Sequence, residues 1–436
     1  MRDIAVTILV ILGLIYTLKK PYIGILLWSW LGYMNPHRLS YGFAYTMPFA
    51  QVTAIITMMA LLLSKEKKSF PITPLTTTWL FFILCLSIST LFAIFPEQAF
   101  EQLIKVLKIQ LVVFLTLLLI NDKKKLNQLI WVIALSIGFY SIKGGVFTLM
   151  TGGSFRVWGP SGTYIAGNNE IGLATLMIIP LFFYLRQQVH QKWLKNTLLA
   201  FAILSVFTVL GTQSRGAFLA LGVISLFLWL KTSNKVITGV IGGIFIVLAI
   251  SFMPKTFMDR MDTIETYQED NSAMGRINAW TLAINIANDR FFAGGFNHWS
   301  PKTYALYAPD PDHVLDVHSI YFEVLGENGY PALILFLTLL FLTWRSAAWV
   351  IKQTKDNKEL LWCSQLMKMI QVSLLAYCSG GAFLGLAYWD LPYHLISIVV
   401  ITRVLVEQKL ASGSTQKEVK QESAGIIEKK KWAWEK

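Results

Sequence analysis

The chain is 436 residues long, 55% hydrophobic and only 14% charged, with a formal net charge of +13 and a mean hydropathy of +0.53. Soluble globular domains carry about 25% charged residues, so the composition excludes one and indicates an all-α polytopic integral membrane protein, because open sheet edges cannot sit in hydrocarbon. The positive charge is a topology signal rather than a nucleic-acid footprint, since Lys and Arg collect in short loops on alternate sides of successive apolar runs; no nucleic-acid partner is expected.

The first apolar run, Ile4 to Leu18, ends at Lys19 and Lys20 rather than at a small-residue cleavage site, so it is expected to stay in the mature protein. Further runs place spans near residues 21–34, 47–64, 75–95, 104–120, 127–150, 170–186, 195–212, 215–231, 236–253, 328–350, 367–388 and 391–408. That makes about 12 to 13 spans at roughly 20 residues each, the first two short enough to form a shallow hairpin. Lysine clusters at 19–20, 65–68, 123–125, 192–195, 231–235 and 352–358 mark cytoplasmic loops and predict a cytoplasmic C-terminus. The remaining connections, 35–48, 95–102, 151–170, 211–216 and a large loop over about 254–328 with short helices, then share the other face. In a bacterium that face is the periplasm, where no nucleotide sugars are available and an enzyme must take its activated donor from the lipid. Residues 1–408 form the membrane-embedded domain, and 409–436, rich in Ser, Gln, Glu and Lys, are expected to be a disordered basic tail on the cytoplasmic side. Cys85, Cys363 and Cys378 lie far apart in or beside apolar runs, which indicates neither disulfides nor a CxxC metal site.

Several polar residues interrupt this pattern on the outer face. Arg38 in "NPHRLSYGFAY" and Arg156 in "GGSFRVWGPSG" are secondary candidates, and Lys105 and Lys108 share one helix face a turn or two into a span. Glu101 offers Lys105 an i, i+4 partner. Arg215 in "VLGTQSRGAFLAL" breaks an apolar hairpin. A central charge costs about 2.5 to 3.5 kcal/mol on insertion scales, so its guanidinium is expected to meet water, a carboxylate, headgroups or an anionic ligand. Gly211, Ser214 and Gly216 permit the tight turn there. In the long loop, "MGRINAWTLAINIANDRFFAGGFNHW" starts with Arg276 and reads as an amphipathic helix with Ile277, Trp280, Ile284 and Ile286 on its apolar face. The paired glycines then suit sugar stacking or a plain turn.

"APDPDHVLDVHS" brings Asp310, Asp312, His313 and His318 close in sequence, but its D-x-D spacing mostly serves metal-bound nucleotide sugars, so no metal and no cofactor are expected. In "DVHSIYFEVLGENG", Asp316 reads as an N-cap that places His318 in the first turn of a helix ending near Gly329. The positive helix end disfavours imidazolium, leaving the ring able to accept a proton, and its free amides suit an anion.

A turn Arg in "TQSRGAFLAL", then "GR", "W" and "GGF" in a large outer loop, then "HSIYFEVLGENGYPALILF" entering a span, resemble the O-antigen ligase and polymerase superfamily. Within it, "LWSWLGYMNPHRLSYGFAYTMPFAQ" is similar to the O-glycosylation ligases associated with the exosortase system. The resemblance implies transfer of a glycan from an undecaprenyl diphosphate carrier in the inner membrane to a hydroxyl on the periplasmic side, without a metal. It implies His318 as base and Arg215 and Arg276 as holders of the diphosphate. Protein Ser or Thr is the acceptor it favours, with lipid A-core or another glycan as alternatives. Many lipid A-core ligases read His-Asn where this chain has His318–Ser319. A transporter of lipid-linked sugar is the rival from another class, but transporters place charges near the midplane and show repeats, whereas these candidates gather on one face.

Overall fold

The computed structural model describes residues 1–65, 69–231, 235–236, 239, 243 and 271–434. All regular structure among them is helical: α1 (Arg2–Lys19), α2 (Tyr22–Met34), α3 (Phe49–Leu63), α4 (Pro74–Leu91), α5 (Pro96–Leu119), α6 (Lys123–Met150), α7 (Asn168–Gln188), α8 (Lys192–Gly211), α9 (Arg215–Lys231), α10 (Asn271–Asp289), α11 (Pro301–Tyr307), α12 (Ile320–Thr354), α13 (Leu361–Gly380) and α14 (Asp390–Trp434). Among the described residues, seven helices are long and apolar enough to cross a membrane, fewer than the spans expected. The apolar α2 and α3 are shorter, α9 has 17 residues, and the expected span at 236–253 lies outside the described residues. The protein is a multi-pass membrane protein.

Local chemistry sets the helix starts. Thr73 and Thr76 form a reciprocal capping box around Pro74, and Asp122 accepts from the Lys125 N–H at 2.8 Å, so one first-turn amide of each of α4 and α6 is satisfied by a side chain of the chain itself. α5 begins at Pro96, earlier than expected. Proline at its first position has a preset φ, and Glu97 favours the positive helix end. The segment expected to be a disordered tail continues α14 as helical backbone to Trp434, in keeping with the helix propensity of its Lys, Glu, Gln and Ala.

Helices pack through small residues, as hydrocarbon surroundings require. A Cβ on Gly145 of α6 would lie 2.1 Å from the Leu204 carbonyl oxygen of α8. Ser141 donates across the same interface to Ser205 at 2.6 Å. Of the N-terminal helices, α2 packs on α6 while α1 and α3 pack on α2 and on each other, and α14 packs against α5, α12 and α13.

The "FFAGGF" segment proves to be a brace. Backbone at Gly329 is non-helical (φ 78°, ψ −179°), so α12 breaks where the sequence predicts. Pro331 has no N–H, which strips the Glu327 carbonyl of its helical donor. The Gly295 N–H fills that role at 2.8 Å, and the Gly294 N–H donates to Gly326 at 3.0 Å. The Gly294 carbonyl in turn accepts from Ile94 at 2.9 Å, and the Glu327 side chain accepts from the Asn297 amide at 3.0 Å. Asn328 donates to the Tyr388 hydroxyl at 2.7 Å and accepts from Ser89. The break in α12 is thus fixed from three sides.

Candidate functional site

Of the connections expected to share one face, 151–170 and 211–216 touch each other. The Val157 N–H donates to Gly211 at 2.8 Å, Gln213 donates to the Gly153 carbonyl at 3.1 Å, and Asn168 donates to the Thr212 carbonyl at 3.0 Å. The Ala387 N–H donates to Glu323 of α12 at 2.9 Å.

His318 stands just before α12 rather than in its first turn. The helix starts at Ile320 with Ser319 as N-cap, and Asp316 is not the cap, because its carboxylate accepts instead from the next residue's amide, Val317, at 2.8 Å. His318 has φ 44°, a left-handed conformation that no helical residue can hold. That conformation turns its imidazole back so that Nδ1 lies 2.7 Å from the Asp316 carbonyl. A carbonyl only accepts, so Nδ1 carries the proton and the lone pair of the neutral ring resides on Nε2.

The chain ahead of His318 is tied to α10 and α11. Asn278 donates to the Asp310 and His313 carbonyls at 2.8 and 3.1 Å, Tyr304 donates to the Leu315 carbonyl, and Trp280 Nε1 donates to the Val317 carbonyl at 2.9 Å. Trp280 also stacks on Phe322 of α12, with centroids 5.0 Å apart at 14°, and leans on Phe383 at 6.4 Å. A Cβ on Gly216 would lie 3.2 Å from Phe383. The segments bearing Arg215 (beside Gly216), Arg276 (one turn before Trp280) and His318 (after Val317) therefore converge on the Trp280–Phe383 pair. All three side chains are half-buried.

α10 does not bury the face the sequence predicts. Ala279, Leu282, Ala283 and Ile286 are buried, whereas Ile277 and Ile284 are 40% and 38% exposed. At 100° per residue those two isoleucines point away from the stripe that ends at Ile286. Asp310 and Asp312 serve the loop itself, the Asp312 N–H donating to Asp310 at 3.2 Å. Among the described residues no three His, Cys, Asp or Glu side chains gather at metal-ligating spacing.

The secondary candidates divide. Arg156 lies 5.8 Å from the Trp158 ring centroid and adjoins Val157, which is bonded to the Gly211 turn. Arg38 is exposed over Tyr45 at 4.9 Å, and a Cβ on Gly162 would lie 3.9 Å from its Nη1. Lys105 lines a cavity that does not include Lys108. Among the described residues no ion pair joins Glu101 to Lys105.

Two carboxylates escaped the sequence reading. Glu170, at the start of α7, stands within electrostatic reach of His318 and Asp316, and Glu323 lies one turn beyond His318. The signal for both was a lone carboxylate opening an apolar helix, as in "GNNEIGL" and "SIYFEVL". His298, by contrast, is fully buried against Trp299, with centroids 4.2 Å apart. Burial holds its imidazole down at about 3, so it is a neutral structural ring.

Comparison with protein families divides the chain in two. Residues 200–337, which contain Arg215, Arg276 and His318, match the family described as O-Antigen ligase. Residues 1–190 match a family of unknown function (DUF5935). No curated protein matches the chain. The first match supports the O-antigen ligase superfamily, and with it a ligase-like role in processing lipid-linked glycans.

Proposed function

We propose that the protein transfers a glycan from undecaprenyl diphosphate to an acceptor hydroxyl on the periplasmic face of a bacterial inner membrane, by an inverting, metal-independent single displacement. The acceptor oxygen attacks the anomeric carbon, the bond to the diphosphate oxygen breaks, and the hydroxyl proton passes to Nε2 of His318. The hydrogen bond from His318 Nδ1 to the Asp316 carbonyl carries this reading, because it leaves Nε2 as the basic nitrogen. Glu170 lies close enough to favour the imidazolium that forms. Undecaprenyl diphosphate is a stabilised leaving group, so it needs neutralisation of growing negative charge more than protonation. Arg215 and Arg276 supply fixed positive charge for that purpose, and preorganised charge of this kind usually contributes more to the rate than any other effect in such sites. Protein Ser or Thr is the acceptor the N-terminal sequence resemblance favours.

Transfer from a purified lipid-linked oligosaccharide in proteoliposomes tests the reading. The product is expected with inverted anomeric configuration, and Arg215→Ala or Arg276→Ala is expected to abolish most of it. Retained configuration, or undiminished transfer by both variants, would refute it.

A further inference from the structure

A cavity of about 520 Å³ opens between the C-terminal half of α2, the N-terminal half of α5, the 162–165 loop and the start of α14. Most of its wall belongs to the stretch matching the family of unknown function. The volume falls within the range of about 300 to 1,000 Å³ typical of small-molecule sites. Gln102, Lys105, Tyr164, Trp389 and Asp390 line it.

Asp390 is the decisive residue. Its side chain is buried, with 6% of the residue exposed, and its Oδ1 meets no hydrogen-bond partner among the described residues. A buried carboxylate oxygen left unpaired is costly and calls for a donor. A diphosphate brings no donor and would be repelled, although Lys105 is close by. A hydroxyl-rich ring answers every feature at once: it donates to Asp390, accepts from Gln102 and Lys105, and lays its C–H faces on aromatic side chains. Tyr164 lies beside Gln102 and within electrostatic reach of both Asp390 and Glu323 in the first turn of α12.

We propose that this cavity is a sugar subsite that seats one pyranose ring of a glycan substrate, with Asp390 accepting from its hydroxyls. The assignment of that ring to a substrate rests on the transferase reading, and the ring belongs either to the lipid-linked donor or to a glycan acceptor.

Two measurements on the full chain in nanodiscs test it. In saturation-transfer NMR with the methyl glycosides of glucose, galactose, N-acetylglucosamine and rhamnose, at least one is expected to bind, and Asp390→Asn should weaken it about tenfold, the effect of losing one hydrogen bond to a charged group. Gly32→Leu should abolish binding by filling the space, since a Cβ there meets only the Asp390 carboxylate, at 3.4 Å. His318→Ala should bind as the wild type does. In the transfer assay, Asp390→Asn should raise KM about tenfold for the donor if the ring is the donor's, or for the acceptor if it is the acceptor's. Wild-type protein that binds none of the four glycosides, Gly32→Leu that binds as well as wild type, or unchanged KM for both substrates would each overturn the subsite. Glycoside binding lost in Gly32→Leu, in a wild-type protein that transfers no glycan, would uphold the subsite while removing the transferase reading.

Discussion

Gly295→Ala tests the brace under the break in α12. Gly295 has φ 80°, a region that costs an L-residue about 1 to 2 kcal/mol. A Cβ there would stand 2.2 Å from the Ala93 Cβ, an overlap of the kind that costs about 1 to 3 kcal/mol when a packed site is overfilled. Together these predict about 2 to 5 kcal/mol of destabilisation, and the backbone shift that relieves them should also weaken the bond from Gly295 N–H to the Glu327 carbonyl. Pro331→Ala supplies an amide that can reach the same carbonyl once α12 straightens through Gly329, relieving the need for the brace. The double variant should therefore lose less than the sum of the singles, with a coupling of about 0.5 kcal/mol or more. Equilibrium unfolding in mixed detergent micelles measures all three variants. Gly295→Ala within about 0.5 kcal/mol of wild type, the range of an uninvolved surface change, would refute the reasoning.

Trp280→Phe keeps an aromatic ring against Phe322 but removes the donor to Val317, so transfer should fall about tenfold while stability changes by only about 1 kcal/mol; unchanged kcat in the lipid-linked donor assay would contradict this. Because burial depresses the folded-state value of His298 to about 3, the unfolded chain binds the extra proton. Stability should fall as pH drops from about 6.5 toward 3, by at most about 1.4 kcal/mol per unit, and His298→Gln should flatten that slope in micelle unfolding between pH 7 and pH 5. EDTA should leave the transfer rate unchanged, and a collapse reversed by Mg²⁺ or Mn²⁺ would contradict the metal-independent displacement.

The membrane class, the bounds of α9 and the break at Gly329 were legible because apolar run length, an interrupting Arg and a helix-ending glycine each act within a few residues. The role of "FFAGGF" was not, because its amides serve a carbonyl freed by a proline in another helix. The position of His318 depends on a left-handed φ and a backbone carbonyl, neither of which has a sequence signature. The buried face of α10 was misassigned because Ile277 and Ile284 outweighed alanines in a hydrophobicity pattern, while the tight contact under α12 selects Ala279 and Ala283. Glu170 and Asp390 became candidates only when folding brought them beside His318 and into the cavity.

The most direct measurement is the single-turnover rate of His318→Ala in proteoliposomes loaded with a purified lipid-linked glycan and its acceptor. Loss of a positioned base predicts a fall of about 10² to 10⁴-fold with donor binding unchanged. Transfer at the wild-type rate would show that the acceptor proton leaves by another route.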